Sequence, residues 1–509
     1  MSLNIELLHQ SVIGEQFPIH TPFGVKPLIY TDYTASGRSI DFIEEFIRTK
    51  VLPFYGNTHT ETSLTGRQTT LLREQSRSII RQSVNATSKH HVIFTGSGAT
   101  SAINRFIHLL NIPDQYNKNP VVFIGPYEHH SNDLPWRETD VILVRIPLNA
   151  NGSLDLEVLE NKLKKYQAHD LKIGCFSAAS NVTGIITDVR GTTALLKQYK
   201  ALSCWDYAAA APYIKIDLHD IPMDAIFISP HKFLGGPGTP GLLIINDDCI
   251  KHQIPGLNGG GTVSYVTEKI HEYVDDVERR EEGGTPAIIE SIRAGLVFKL
   301  QQDIGFKYIN SKEERLVTTA IRHWKKHKNI NILGDTNISR LAIISFNINS
   351  LHHNLVVSML NDLFGIQARG GCSCAGPYAH LLLNISDQES ENIKQQLAQG
   401  NTLIRPGWVR LNLHYLLSDV LFDYIVTAVE LIASYGYSLA DQYHYNEDKG
   451  VWLYQNKQEE LPVSLFDNEP FKYKNDDQAE SLSLAMKKAQ AVFFSSVSDS
   501  LVRAAYTAI

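Results

Sequence analysis

Between residues 28 and 300, short β-branched apolar runs alternate with amphipathic helical stretches, and few folds accept that alternation. Val121-Val122-Phe123-Ile124, residues 173–176 and Ala225-Ile226-Phe227-Ile228 carry no charge, whereas residues 193–199 read as a helix. Runs that are apolar on both faces belong in sheets covered on both sides. The pattern predicts an α/β fold with a mostly parallel sheet. Open sheets of this kind bind ligands beyond the carboxyl ends of their strands. The residues just after each run are therefore the candidates for function.

After Ala225–Ile228 comes Ser229-Pro230-His231-Lys232, followed by Phe-Leu-Gly-Gly-Pro-Gly. A lysine at the end of a buried strand is partly desolvated, which favours the free amine and makes it a nucleophile towards a carbonyl. Ser229 and His231 beside it suit an anion such as phosphate. A lysine that carries pyridoxal phosphate as a Schiff base needs this combination. A surface Ser-x-His-Lys before a loop is the plainer alternative.

Four upstream pieces bear on that choice. Asp206, in Cys204-Trp205-Asp206-Tyr207-Ala208, ends an apolar stretch and is placed to pair with a pyridinium nitrogen. Val92-Ile93-Phe94-Thr95-Gly96-Ser97-Gly98-Ala99-Thr100 reads as strand, glycine turn and helix start, where backbone N–H groups cradle phosphate. Its glycines make only part of a dinucleotide fingerprint. Tyr127-Glu128-His129-His130-Ser131-Asn132 offers a histidine to stack on a flat ring. The two histidines point apart on an extended segment and have no Cys or carboxylate at ligand spacing, so no metal is expected. Asn181, in Ser-Asn-Val-Thr-Gly, offers an amide to a phenolic oxygen.

In this order the pieces resemble the class V aminotransferase family of fold-type I pyridoxal-phosphate enzymes, and most of all its cysteine desulfurase and selenocysteine lyase branch. The resemblance spans residues 28 to 435. It implies a large, mostly parallel seven-stranded α/β/α domain and a smaller α+β domain. It also implies a role for each matching residue. Lys232 is the Schiff-base lysine, Asp206 the pyridinium partner and Ala208 the small residue under the ring. His129 stacks on the ring and shuttles protons, and Asn181 bonds the phenolic oxygen and lies near the substrate. Gly98, Ala99, Thr100, Ser229 and His231 form the phosphate cradle. Arg280–Pro286 resembles a loop whose threonine, here Thr285, reaches the phosphate of a partner subunit, so a homodimer with sites at the interface is implied.

Further along, Phe364–Cys374 resembles the segment that brings the catalytic cysteine to the substrate, with Cys374 in the nucleophile's place. Arg410, in Trp408-Val409-Arg410-Leu411-Asn412-Leu413, resembles the carboxylate-binding arginine, and Arg369 joins it. The resemblance implies an amino-acid substrate and a sulfur-acceptor protein. Ala209 stands where the family commonly has glutamine, Cys372 is an extra thiol beside Cys374, and residues 381–405 look inserted. Transamination, epimerisation or another elimination on the same scaffold stays open. So does a non-catalytic role, which the Lys232, Asp206 and His129 set argues against.

The whole chain sets looser bounds. Its 509 residues are enough for more than one domain. The pattern predicts an irregular arm over 1–27, a cofactor domain over 28–300, a small domain over 301–435 and an extension over 436–509. Long helices are expected over 287–326, and an amphipathic helix over 478–506 that packs on the body. A net charge of −7 gives no sign of nucleic-acid binding. Five cysteines, an odd number, argue against a disulfide framework, and no basic-then-apolar leader or long apolar run occurs. A cytoplasmic address and no membrane partner are expected.

Overall fold

The computed structural model describes residues 5–58, 60–112, 119–455 and 478–507, with side chains up to residue 497. It divides into two compact units. The first holds residues 1–13, 33–312 and 337–341; the second holds 14–32, 313–336 and 342–509.

The first unit is built on a seven-stranded sheet. Its strands are β1 (His90–Phe94), β2 (Val121–Ile124), β3 (Ile142–Arg145), β4 (Lys172–Ser177), β5 (Leu202–Asp206), β6 (Ala225–Ile228) and β7 (Leu242–Asn246). Their spatial order is β1-β7-β6-β5-β4-β2-β3. β2, β3, β4, β5 and β6 pair in parallel, and β7 runs against both β6 and β1. Every residue of β2, β4 and β6 is buried, as a sheet covered on both faces requires. Helix α2 (Gly98–Leu109) lays Ala102, Ile103 and Phe106 on one face. On β4, a side chain at Gly174 would meet Leu196 within 2.6 Å, so the covering helix there sits close to the backbone. Helices α1 (Leu64–Ser83) and α3 (Ile288–Ile304) also pack closely: a Cβ at Gly295 would lie 2.5 Å from that of Ser76.

The second unit has a four-stranded antiparallel sheet of β8 (Ile330–Ile332), β9 (Ile343–Ile348), β10 (Arg369–Gly371) and β11 (Trp408–Asn412), in the order β8-β9-β11-β10. Against it lie α4 (Phe306–Trp324, entering this unit at residue 313), α5 (His353–Phe364) and α8 (Asp419–Tyr435), which share one apolar core. The segment over 381–405 forms the end of α6 (Gly376–Leu382) and α7 (Asp387–Ala398), the latter opened by a reciprocal Ser386–Glu389 capping box. Helix α9 (Leu482–Thr507) buries Ala485, Ala489 and Phe493 in the same core, so this face packs on the body of its unit. Of the polar segment 446–473, residues beyond 455 lie outside the described residues. The described part closes a hairpin, Tyr443–Asn446 with Val451–Tyr454.

The stretch before residue 28 is more ordered than the sequence predicts. It forms a short helix, Ile5–Gln10, and a hairpin pairing Pro18–Thr21 with Gly24–Pro27. The turn holds because Phe23 N–H donates to Thr21 Oγ1 (3.2 Å) and Gly24 takes φ +106°. Lys26, fully buried, is neutralised by Glu480 at 2.8 Å.

Candidate active site

In the first unit the singled-out residues fall on loops at strand carboxyl ends. After β1 the chain turns through Gly96 and Gly98 into α2. Gly98 has φ +56°, and a Cβ there would lie 2.8 Å from both Ser229 Oγ and His231 Cε1. Only glycine fits both the conformation and the space. The Ala99 N–H donates to Ser229 Oγ at 2.9 Å, tying the start of α2 to the loop after β6. Gly241 lets β7 approach as well: Thr95 N–H donates to its carbonyl at 2.8 Å.

After β2 comes the histidine loop. The Ser131 N–H donates to His129 Nδ1 at 3.1 Å, so the proton of the neutral ring sits on Nε2. Ser131 Oγ lies 3.0 Å from the same nitrogen and 2.6 Å from Thr100 Oγ1, which links His129 to the first turn of α2. Beneath the loop, fully buried Glu128 accepts from Gly125 N–H (3.0 Å), Ser177 N–H (3.0 Å), Ser177 Oγ (2.6 Å) and Asn132 Nδ2 (2.7 Å). Burial still pushes its carboxyl up to about 7; those bonds pull it down, and the Asp206 charge pushes it further up.

Beyond β4, Ser180 Oγ accepts the N–H groups of Val182 and Thr183, both at 3.1 Å, and Gly184 takes φ +73°. This turn fixes Asn181, which is buried. Asp206 ends β5, beside Ser177 and Phe227 in register. It is buried and accepts the Ala208 N–H at 2.8 Å. Burial raises its carboxyl, against the pull of that N–H and of the Lys232 charge. After β6, Pro230–Lys232 forms a single helical turn, with Lys232 N–H donating to the Ser229 carbonyl at 3.0 Å. Burial and the neighbouring Lys232 ammonium lower His231 to about 4, so its ring is neutral. Thr285 is exposed and accepts from Asn57 Nδ2 at 3.1 Å.

These residues fit pyridoxal phosphate. A buried carboxylate raised by desolvation gains most from a cationic ring nitrogen. The bare Gly98 lets the start of α2 approach Ser229 and His231 closely, which gathers a helix N-terminus, hydroxyls and an imidazole as a phosphate requires.

The second unit holds the other candidates. Arg410 on β11 is 2% exposed and faces Arg369 on β10 in register. Asp32 bridges the two, one oxygen 2.7 Å from Arg410 Nη2 and the other 3.2 Å from Arg369 Nε. Burial lowers Arg410, and Asp32 opposes that. After β10, Ser373 and Cys374 take φ +53° and +55°; Cys374 is exposed and Cys372 half-buried. Sequence reasoning missed three residues. Glu128 and Ser131 stood inside a quoted motif without a role. Asp32 lies far in sequence from Arg410, and no local pattern links them.

A parallel sheet with a lysine, an aspartate and a glycine cradle at its strand ends defines a pyridoxal-phosphate enzyme of fold type I. The family model for aminotransferase class V matches residues 29–388, and the chain belongs to that family. Among its relatives, a probable cysteine desulfurase of Halalkalibacterium halodurans is 28% identical over 355 residues, covering 69% of this chain and 85% of the relative. One from Borreliella burgdorferi is 26% identical over 376 residues, covering 71% and 86%. Two solved structures share the fold. The apo cysteine desulfurase of Thermococcus onnurineus has a TM-score of 0.69 at 24% identity, covering 80% of this chain and 95% of that one. A cysteine desulfurase of Escherichia coli has a TM-score of 0.67 at 21% identity, covering 84% and 98%.

Proposed function

We propose that this enzyme removes sulfur from L-cysteine, giving alanine and leaving the sulfur on Cys374. The observation that carries the reading is Cys374 itself: an exposed thiol in a left-handed turn, just after the strand whose Arg369 faces Arg410. A residue with φ above zero is held there by its surroundings, and such positions cluster at functional sites. The relatives named probable cysteine desulfurase support the same choice.

Each residue then has a task. Lys232 would anchor the cofactor's carbonyl carbon and, once released, move the proton on the substrate's α-carbon. Asp206 would keep the ring nitrogen protonated, with Ala208 packed under the ring. Asn181 would donate to the phenolic oxygen. Ser229, His231, Thr100 and the N–H of Ala99 would hold the phosphate beside Gly98. His129, with its proton on Nε2, would lie over the ring and hand that proton on. When bound, the cofactor supplies an electron sink for carbons next to the substrate nitrogen. Arg410 and Arg369 would take the substrate carboxylate, which must compete with Asp32. Two copies of the chain complete each other through Thr285, a sulfur-acceptor protein is one destination of the sulfur, and the cytoplasm is the setting.

The test is incubation of purified protein with L-cysteine, with sulfide, alanine, pyruvate and keto acid assayed together. Alanine matched by sulfide in the presence of a reductant is the expected result, with no persulfide formed in Cys374→Ser. Pyruvate as the main product, or full turnover in Cys374→Ser, would reject the reading. Lys232→Ala is expected to lose the borohydride-reducible link between cofactor and protein.

A further inference from the structure

One cavity of about 640 Å³ lies wholly within the second unit, and Cys372 is among the residues of its wall. His353, Thr402, Arg405, Tyr445 and Lys449 also line it. The last four lie beyond residue 388, where the family match ends, so much of the cavity is built from segments outside the matched region. Thr402 Oγ1 and Tyr445 OH, 2.7 Å apart, tie the segment after α7 to the terminal hairpin. Three glycines shape the site. Gly371 takes φ +106°, a Cβ on Gly407 would lie 2.6 Å from Gly371 Cα and 2.7 Å from His353 Nε2, and one on Gly370 would meet Asn354 Oδ1 at 2.0 Å.

His353 is the informative side chain. It is 8% exposed, stacks on His352 with ring centroids 4.1 Å apart, and makes no side-chain hydrogen bond to any described residue. Burial and the neighbouring His352 lower it to about 3, so the ring is neutral, with one N–H and one lone pair available. His353 lines the cavity, so its ring is available to a ligand held there. The cationic Arg405 and Lys449 and the anionic Glu447 and Asp448 line the same space.

We propose that this cavity binds a low-molecular-weight thiol bearing both a carboxylate and an ammonium group, and that Cys372 relays sulfur to it. The relay rests on the desulfurase reading; the binding site does not. The Cys372 thiolate attacks the outer sulfur of the Cys374 persulfide. A sulfur–sulfur bond forms at Cys372, the one at Cys374 breaks, and its electron pair stays on the Cys374 thiolate. The bound thiol, its proton lost to solvent, repeats the exchange. It leaves as a persulfide and restores the Cys372 thiolate, so no oxidant is consumed.

Binding is tested on the holoenzyme without turnover, as the rate of Cys372 alkylation by iodoacetamide, read by peptide mass spectrometry. S-methylglutathione at about ten times its Kd is expected to slow alkylation about tenfold by mass action. 2-(Methylthio)ethanol, an uncharged thioether, is expected to give no protection. Arg405→Glu with Lys449→Glu should abolish protection while leaving cofactor absorbance unchanged. Equal alkylation with and without S-methylglutathione, or protection that survives the charge reversal, overturns the site. The relay is tested by one turnover of L-cysteine followed by glutathione. Rapid clearance of the Cys374 persulfide in the wild type and slow clearance in Cys372→Ser supports it. Equal clearance in both overturns the relay, and so does a wild type in which Cys374 never carries sulfur. Protection of Cys372 is scored separately, so that last outcome rejects the desulfurase reading and the relay but not the binding site.

Discussion

Glu128 shows how much a single residue can decide at this site. Its carboxyl has four donors, yet burial holds it near 7 against an ordinary 4.5. A raised carboxyl stabilises the fold fully below the unfolded pKa and loses that contribution as pH rises through the folded one. Over the 2.5-unit shift that is roughly 3 kcal/mol at 1.36 per unit. Glu128→Gln is therefore expected to gain stability relative to the wild type as pH rises from about 4.5 to 7, measured by thermal unfolding across that range. A constant difference between the two proteins would place the titration elsewhere. Asp32 is the counterpart in the second unit. Removing it by Asp32→Ala leaves buried Arg410 without its carboxylate, a change that costs about 3–5 kcal/mol in buried pairs. Arg410→Met should recover much of that loss in the double variant, because the stranded charge goes too. Urea denaturation of the four proteins measures the coupling, and purely additive losses would mean that the pair does not act as one.

At the scale of elements, the sequence was most legible where strands end. Apolar runs on both faces predict parallel strands, and the strand-to-loop boundaries then locate Asp206, Ser229 and Lys232 without any knowledge of partners. Less legible was whatever depends on contacts between distant segments. The hairpin before residue 28 looked irregular because its stabilising partner, Glu480, lies at the other end of the chain. Helix α8, within Asp419–Gln442, is long and apolar enough by composition to cross a membrane. Its Leu421, Ile425, Val429 and Ile432 are instead part of the core of the second unit, a distinction that composition alone does not carry. The start of α2 is the element on which a test is sharpest. Gly98→Ala must adopt a left-handed backbone, costing about 1–2 kcal/mol, and press a methyl group on Ser229 and His231. Pyridoxal-phosphate affinity, titrated by absorbance, is expected to fall at least about tenfold with the far-ultraviolet circular dichroism unchanged. Unaltered affinity would remove Gly98 from the phosphate cradle.

At the scale of the whole molecule the remaining question is whether one copy of the chain suffices. Thr285 is exposed and its hydrogen bond within the chain goes to Asn57 near the surface. An exposed hydroxyl on a loop is free to exchange such a partner at low cost. If it reaches the phosphate held by a second copy, two different defects complement each other. Lys232→Ala destroys the site of its own subunit. Thr285→Asp sets a negative charge against the phosphate of the neighbour's site and expels the cofactor there. Each homodimer is inactive. A mixed dimer places both defects in one site and neither in the other, so subunits shuffled in equal amounts should regain about a quarter of wild-type activity, half of the dimers being mixed with one working site each. Sedimentation of the mixture identifies the active species as a dimer. Should Thr285→Asp alone keep its cofactor, or the shuffled mixture stay inactive while mixed dimers form, each site would be complete within its own chain.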